Sequence, residues 1–189
     1  MVTTVHSPDH LLSLEEWDAL PEDNSRHYEL VEGVLVVSPK PKPHHQRVGG
    51  RLFGQLDAQL NDAWVVVPEC EVVVDRRSPA TVRVPDLVVV RAEVFRDNPA
   101  RFDPADVLVA VEIFSKGTKR ADRVTKYFEY AEAGIRHYWL IDPEAPLSLT
   151  AYLLVDGEYE RVGESAAPMT IELDGFQVLL DLPMLDPAA

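Results

Sequence analysis

Residues 106–126 read DVLVAVEIFSKGTKRADRVTK, and this stretch decides the fold. It opens with an unbroken apolar run at 107–111, which is typical of a strand that is buried on both faces. Glu112 follows directly and precedes two more apolar residues, so a carboxylate lies inside a buried strand. Such a group costs several kcal/mol unless it is paired, protonated or bound to a metal ion. Glu112 is therefore predicted to have a dedicated partner.

A polar break and a basic helix follow this strand. Residues 115–118 are polar, and 118–133 carries apolar residues at helical spacing, with Gly134 placed as a C-terminal cap. The first half of the predicted helix is rich in Lys and Arg and includes Lys126. A buried acid followed by a basic helix favours a site for metal-assisted chemistry on an anion.

The composition is that of a globular protein. With 189 residues and 46% hydrophobic content, the chain can form one compact domain, predicted to span residues 1–189. It has no apolar run of about 18 residues and no hydrophobic region near its N-terminus, so we expect no membrane span and no signal peptide. The single Cys70 cannot form an internal disulfide and is interpreted as a buried small apolar residue. These features predict a protein of the cytoplasm.

The charge is acidic overall but unevenly distributed. A net charge of −14 argues against a protein that coats nucleic acid non-specifically. Two stretches, 40–51 and 116–126, nevertheless hold many basic and almost no acidic residues. They are either solvated surfaces or local patches that contact phosphate groups. The candidate nucleic-acid contacts are Lys40, Lys42, Arg47, Lys116, Lys119 and Arg123.

The N-terminal third predicts two helices and a hairpin. Ser13 begins a capping box, which predicts a short helix over 13–20. Two apolar runs flank Glu32-Gly33 and are typical of a hairpin with a tight turn. Apolar residues at steps of four then predict a long amphipathic helix over 44–64.

The remaining elements are mostly strands. Residues 65–75 form a strand or a bent pair, and 82–90 forms a strand in which Pro85-Asp86 marks an irregular point. Residues 91–104 form a loop or a short helix. A strand at 137–141 and two hairpins complete the chain, because Asp156-Gly157 and Asp174-Gly175 each separate two strand-like runs. The pattern predicts a mixed α/β (α+β) fold, with strands around two principal helices and an antiparallel C-terminal tail.

Asp86 and Glu112 are the two acids set in strand-like apolar context. If their strands are neighbours, the two carboxylates lie within a few ångströms of each other. Mg²⁺ prefers such oxygen ligands and typically takes one or two carboxylates together with waters and substrate phosphate. A cation held there can activate water and offset charge on a phosphodiester, and a lysine can stabilise the transition state.

An ordered set of motifs carries a family resemblance. Pro85-Asp86 followed by Glu112 resembles the PD-(D/E)xK nuclease superfamily, and the chain as a whole is similar to its putative restriction endonuclease domain family. The resemblance covers roughly residues 13–162 and leaves a C-terminal β extension. The matching segments are YELVEG at 28–33, HQRV at 45–48, PDLVVV at 85–90, VEIFS at 111–115, Asp122-Arg123 with Lys126, and AGI at 133–135 with Tyr138-Trp139.

This resemblance implies a restriction-endonuclease-like mixed β-sheet flanked by helices and Mg²⁺-dependent (or Mn²⁺-dependent) cleavage of DNA. It implies a metal site formed by Asp86, Glu112 and the Ile113 carbonyl, with Glu29 as an accessory acid. The chain departs from the superfamily pattern in one respect: Phe114 stands where the superfamily has its lysine. The family supplies a lysine from the following helix, and Lys126 matches that position, with Lys116 as the next candidate.

Each of these residues also has a purely structural interpretation. Asp86 can belong to a Pro-Asp turn, Glu29 can face solvent, and Lys126 can form a local ion pair with Asp122. His45 can be a polar residue at a helix start, since His44-His45 lacks the spacing of a zinc site. Tyr138 and Trp139 are expected in the core.

Three functions remain open at this point. The first is a Mg²⁺-dependent DNA endonuclease in which Asp86, Glu112, Lys126 and Glu29 form the catalytic set. The second is a non-catalytic module that binds nucleic acid or protein and retains the nuclease fold. The third is a metal-dependent hydrolase of another phosphate ester. A homodimer is also possible, because the C-terminal hairpins can either cover a sheet edge or pair with a second copy.

Overall fold

The computed structural model describes residues 9–21, 26–115 and 121–187. The helices in these ranges are α1 Leu14–Asp18, α2 Pro43–Asp57, α3 Ala92–Arg96 and α4 Lys126–Glu132. The strands are β1 His27–Val31, β2 Val34–Ser38, β3 Trp64–Pro68, β4 Val72–Asp75, β5 Thr81–Arg83, β6 Leu87–Arg91, β7 Val107–Ile113, β8 His137–Asp142, β9 Ser148–Val155, β10 Glu158–Ser165, β11 Met169–Leu173 and β12 Phe176–Leu180.

The strands form three sheets. A six-stranded sheet has the order β10-β9-β8-β7-β6-β3, a four-stranded sheet has the order β2-β1-β5-β4, and β11-β12 is a separate hairpin. Only the β7–β8 pair of the large sheet is parallel, and α4 lies in the connection between these two strands. The fold is therefore a mixed sheet flanked by helices, with antiparallel hairpins at the C-terminal end, as the sequence predicts.

Strand β7 is the centre of the large sheet, and every one of its residues is buried. Because side chains alternate along a strand, Val109 and Val111 face the layer formed by α2 and the C-terminal hairpin. Ala110 and Phe114 face the opposite layer, which contains Tyr130 of α4. Glu112 belongs to this second face, as its spacing from Ala110 and Phe114 predicts. The burial of β7 on both faces therefore explains the unbroken apolar run in the sequence.

The predicted helix over 44–64 ends earlier than expected. Helix α2 stops at Asp57. The Asn61 side chain accepts a hydrogen bond from the Ala63 N–H at 3.0 Å, and the Asn61 carbonyl accepts one from Trp64 at 3.1 Å. Such an Asx turn offers the backbone an alternative to the helix, so the apolar spacing at Leu60 extends beyond the helix itself.

The predicted single strand over 82–90 is wrong, because these residues form two strands in two different sheets. Thr81–Arg83 pairs with β1 and β4, whereas Leu87–Arg91 pairs with β3 and β7. Pro85 lies between them and has no N–H group to continue a ladder. The predicted irregular point at Pro85-Asp86 is therefore where the chain passes from one sheet to the other.

The predicted helix over 118–133 begins with a π-helical turn at Ala121–Thr125 and continues as α4; residues 118–120 lie outside the described ranges. Gly134 has a φ of +82° directly after this helix, which fits its predicted position as a cap. Residues 65–75 are a bent pair of strands, in which β3 belongs to the six-stranded sheet and β4 to the four-stranded sheet. None of the described helices is long and apolar enough to cross a membrane.

Candidate active site

Glu112 has two hydrogen-bond partners inside the protein. Its Oε1 atom lies 2.8 Å from the Lys126 Nζ and accepts a hydrogen bond of 2.8 Å from the Tyr130 hydroxyl. Only 4% of Glu112 is exposed, so both partners are needed to compensate for the loss of water. The dedicated partner that the sequence predicts is thus a lysine and a tyrosine from one helix.

The amine of Lys126 lies close to three acidic side chains. Its Nζ lies 2.8 Å from Glu112, 3.2 Å from Glu29 and 3.7 Å from Asp122. The local pair with Asp122 therefore exists, but it is the longest of the three contacts. Lys126 begins α4 directly after the π turn, and π turns are frequent at functional sites because they re-aim side chains.

Glu29 lies on β1 of the four-stranded sheet. It accepts hydrogen bonds from Arg83 at 3.0 Å and from the Val84 N–H at 3.2 Å, so it does not face solvent. Arg83 in turn makes a bidentate pair with Glu129 of α4, with both N–O distances at 2.7 Å. A chain of charges therefore runs from Glu129 through Arg83 and Glu29 to Lys126. It links β1, β5 and α4.

Asp86 lies beside the same strand. The β6–β7 register pairs Leu87 with Val111, and continuing it by one residue places Asp86 opposite Glu112. The Asp86 Oδ2 atom accepts a hydrogen bond of 2.6 Å from the Ile113 N–H. This contact holds the aspartate at the end of the strand that carries Glu112.

His45 of α2 contacts both Asp86 and Ile113. Its Nε2 atom lies 2.9 Å from the Ile113 carbonyl oxygen and 3.3 Å from the Asp86 Oδ2 atom. Burial lowers the pKa of His45, but the hydrogen bond and charge of Asp86 more than offset that effect and raise it above its usual value of 6.5. The imidazole therefore contacts two of the oxygen atoms that the family resemblance implies as metal ligands.

The electrostatics of the site are dominated by acids. Burial, together with the charges of Asp86, Asp122 and Glu29, raises the pKa of Glu112 to about 8, although Lys126 opposes this shift. Burial lowers the pKa of Lys126, but the surrounding carboxylates outweigh it and hold the pKa above its usual value. Burial raises the pKa of Glu29, but the positive charges of Lys126 and Arg83 outweigh this effect and lower the pKa below its usual value. A further cation near Glu112 would therefore favour its ionised form.

The donor set fits a hard divalent cation. Asp86, Glu112 and the Ile113 carbonyl supply oxygen atoms, and Mg²⁺ commonly takes one or two carboxylates and completes its shell with water. Within the described parts of the chain, no group of three or more His, Cys, Asp or Glu side chains is arranged to hold a metal ion. The candidate site therefore depends on a main-chain oxygen as well as on its acids.

The predicted nucleic-acid contacts are partly on the described surface. Lys40, Lys42 and Arg47 are exposed around the start of α2, the helix that carries His45. Arg123 is exposed in the π turn, and its guanidinium lies 4.8 Å from the centre of the Phe114 ring. Lys116 and Lys119 lie outside the described residues.

The sequence interpretation missed several members of this site. Arg83 and Tyr130 were not singled out, and His45 was interpreted as a polar residue at a helix start in preference to a metal ligand. Arg83 carried the same signal as Glu112, because it is a charged residue inside a β-branched run. Tyr130 stands four residues after Lys126, which predicts a position on the same helix face. Tyr138 and Trp139 are fully buried, as expected, whereas Cys70 is only partly buried.

The fold is shared with a solved structure. A crystal structure of a putative nuclease belonging to DUF820, from Anabaena variabilis, superposes on this chain with a TM-score of 0.66. The two sequences are 19% identical, and the match covers 85% of this chain and 89% of the other. The architecture, with its mixed sheet and C-terminal hairpins, is of the restriction-endonuclease-like class. A search of curated proteins gave no significant match.

The sequence places the chain in a family within that class. The family profile of Uma2, described as putative restriction endonuclease, matches residues 14–185. The chain belongs to the Uma2 family. The match extends from α1 to the end of the C-terminal hairpin region, so it includes every element that contributes to the candidate site.

Proposed function

We propose that this protein is a nuclease that uses a divalent metal ion to hydrolyse phosphodiester bonds of DNA. The observation that carries the proposal is the position of Asp86, one residue before β6 and opposite Glu112 when the β6–β7 register is continued, with Lys126 2.8 Å from Glu112. Buried acids compensated in this way are costly for stability and are frequent at functional sites. Membership of the Uma2 family supports the same class of reaction.

Asp86, Glu112 and the Ile113 carbonyl would hold the metal ion. A divalent cation at this place supplies an activated water and neutralises charge on the phosphate. The hydrogen bond from the Ile113 N–H and the contact with His45 hold the Asp86 carboxylate in position, while Tyr130 orients Glu112. These contacts give the acids a fixed geometry before any substrate binds.

Lys126 acts as a fixed positive charge. Its raised pKa keeps it protonated, so it cannot take a proton from water. A protonated amine can donate a hydrogen bond to the attacking water or to a phosphate oxygen and stabilise the negative charge of the transition state. Glu29 and Arg83 serve as positioning residues, because Glu29 lies 3.2 Å from the Lys126 Nζ and Arg83 holds Glu29 through a contact of 3.0 Å.

The exposed basic residues are proposed as phosphate contacts. Lys40, Lys42, Arg47 and Arg123 lie on or beside the elements that carry His45 and Lys126, and the basic residues Lys116 and Lys119 belong to the same stretch of sequence as Arg123. They would bring a polyanion to an otherwise acidic protein. A homodimer would suit the cleavage of both strands of DNA. It stays a prediction, and light scattering of the purified protein tests it.

The test is nicking of supercoiled plasmid by purified protein with Mg²⁺ or Mn²⁺. Glu112→Gln keeps the size of the side chain and is expected to abolish nicking, whereas Glu160→Gln, an exposed acid of β10, is expected to leave it unchanged. Thermal unfolding followed by circular dichroism shows whether both variants are folded. Equal nicking by wild type and Glu112→Gln would contradict the proposal and indicate a contaminating nuclease.

A non-catalytic binding module is the second candidate. The observation in its favour is that Lys126 and Tyr130 already compensate Glu112 without a metal ion. Fluorescence anisotropy with labelled DNA separates the two functions. Binding of DNA without nicking under any metal condition would favour the module, and Glu112→Gln would then bind as wild type does.

A further inference from the structure

His45 contacts the candidate metal site, and the proposed function uses it only to hold the Asp86 carboxylate in position. Its Nε2 atom lies 2.9 Å from the Ile113 carbonyl oxygen and 3.3 Å from the Asp86 Oδ2 atom. Both oxygens belong to the proposed metal site. The histidine approaches them from α2, a different element from those that carry the acids.

The fold holds this imidazole in place. Helix α2 is anchored on the large sheet by Val48, Leu52 and Leu56, each of which is fully buried. One turn after His45, Gly49 presents no side chain, and a Cβ atom there would lie 3.4 Å from the Ile113 Cδ1. The start of the helix can therefore lie close to the end of β7. Only 15% of the His45 side chain is exposed.

The His45 Nε2 atom is separated from each of the two oxygen atoms by a distance that ligands of one cation also show. Neighbouring ligands of a small divalent ion, each about 2.1 Å from the metal, lie about 3 Å apart. The Nε2 atom of His45 is at this separation from the Ile113 oxygen and from Asp86. The same distance also fits a hydrogen bond in which the His45 Nε2–H group donates to the Ile113 carbonyl. The backbone can therefore keep its position whether the imidazole donates this hydrogen bond or binds a metal ion.

We propose that His45 is a nitrogen ligand of the divalent-cation site and that the site therefore selects Mn²⁺ over Mg²⁺. This inference rests on the metal site of the proposed function and specifies its chemistry. Mg²⁺ is a hard ion that takes oxygen ligands, whereas imidazole nitrogen suits first-row transition metals. The imidazole therefore biases the two ligands that it contacts, Asp86 and the Ile113 carbonyl, towards Mn²⁺.

The test is metal binding by the intact protein without substrate. Isothermal titration calorimetry is expected to show Mn²⁺ binding at least about tenfold tighter than Mg²⁺ binding, and His45→Gln is expected to weaken Mn²⁺ binding about tenfold or more. Electron spin-echo envelope modulation of bound Mn²⁺ is expected to show coupling to a ¹⁴N nucleus in wild type and none in His45→Gln. His44→Gln is the matched control, because His44 is the adjacent and exposed residue of the same helix.

The outcomes separate this inference from the proposed function. If Mn²⁺ binds and is lost in Asp86→Asn, but shows no ¹⁴N coupling and keeps its affinity in His45→Gln, His45 is not a ligand and the metal site stands without it. If wild type binds neither Mn²⁺ nor Mg²⁺, both proposals are overturned. Circular dichroism of each variant confirms that a lost signal comes from a folded protein. Coupling that persists in His45→Gln would also exclude His45 as its source.

Discussion

At the scale of single residues, the protein places a carboxylate in the middle of a hydrophobic sheet and compensates it with side chains from distant segments. Glu112 and Glu29 both contact Lys126, although Glu29 comes from a different sheet. Each group is stable in its buried position only while the others remain. The charges therefore act as a set, and removing one member has effects beyond a single contact.

Lys126→Met tests this dependence. The change removes the cation and leaves Glu112 and Glu29 without their shared partner, so we expect the free energy of unfolding to fall by about 3–5 kcal/mol. Adding Glu112→Gln to Lys126→Met is expected to recover part of the loss, because a buried amide does not need a cation as its partner. Urea unfolding measures both effects. Lys42→Met is the control on an exposed lysine and is expected to change stability by no more than about 0.5 kcal/mol.

His137 predicts a dependence of stability on pH. Only 3% of this residue is exposed, and burial lowers its pKa from 6.5 to about 4. The unfolded chain therefore binds a proton below about pH 6.5 that the folded protein does not take up until about pH 4. The contribution of the uncharged His137 to the free energy of unfolding is fully present above pH 6.5. It is lost as the pH falls to 4, by up to roughly 3 kcal/mol.

Unfolding of His137→Gln at several pH values checks this expectation. The slope of stability against pH between 4 and 6.5 is expected to be shallower than in wild type by nearly one proton, or about 1.4 kcal/mol per pH unit. Leu179→Ala, which changes an exposed residue without a titratable group, should keep the wild-type slope. An unchanged slope in His137→Gln would show that this histidine is protonated in the folded state as readily as in the unfolded chain.

At the scale of elements, the tight turns of the hairpins are the most local features of the fold. Glu32-Gly33, Asp156-Gly157 and Asp174-Gly175 all have positive φ at both residues, as two-residue turns of this kind require. The turns differ in their surroundings. A Cβ atom on Gly33 would lie 2.8 Å from the Cβ atoms of both Leu11 and Pro79, whereas one on Gly157 would meet nothing within 4 Å.

The two glycines therefore predict different costs for the same substitution. Gly157→Ala should cost only the backbone strain of positive φ, about 1–2 kcal/mol. Gly33→Ala carries the same strain and also forces the neighbouring segments apart, which adds about 1–3 kcal/mol. Denaturant unfolding of the two variants measures the difference. Equal losses would show that the segment around Leu11 moves aside without cost.

At the scale of the whole molecule, the C-terminal hairpin is part of the main core. Ile171, Leu173, Val178 and Leu180 pack with α2 and with the large sheet in one cluster. The sequence left open whether this hairpin covers the protein itself or pairs with a second copy. In the structure it covers the same face of the sheet as α2, so much of its apolar surface is used within one chain.

Adjacent residues of β12 test this packing. Leu180 is fully buried and Leu179 is 55% exposed. Leu180→Ala is expected to lower the free energy of unfolding by about 2–5 kcal/mol, because it leaves a cavity in the main core. Leu179→Ala should change it by no more than about 0.5 kcal/mol. A small effect of Leu180→Ala on thermal or urea unfolding would show that the hairpin is dispensable for the core.

The sequence by itself determined the local features of this protein. The apolar run at 107–111 predicted a strand buried on both faces, and the dipeptides with glycine predicted the hairpin turns. The acid Glu112 inside the apolar run predicted a buried carboxyl group with dedicated partners. Steric limits on φ and ψ, and the periodicity of helix and strand, act over a few residues, so they can be read from neighbours in the chain.

Only the tertiary structure decided which distant residues meet. Pro85-Asp86 marked a break, but nothing local showed that β5 and β6 belong to different sheets. The contacts of Arg83 with Glu29 and of His45 with Ile113 span 54 and 68 residues. Such pairs depend on which strands are neighbours and on how a helix packs across them, because burial and charge compensation are properties of the assembled core rather than of any segment.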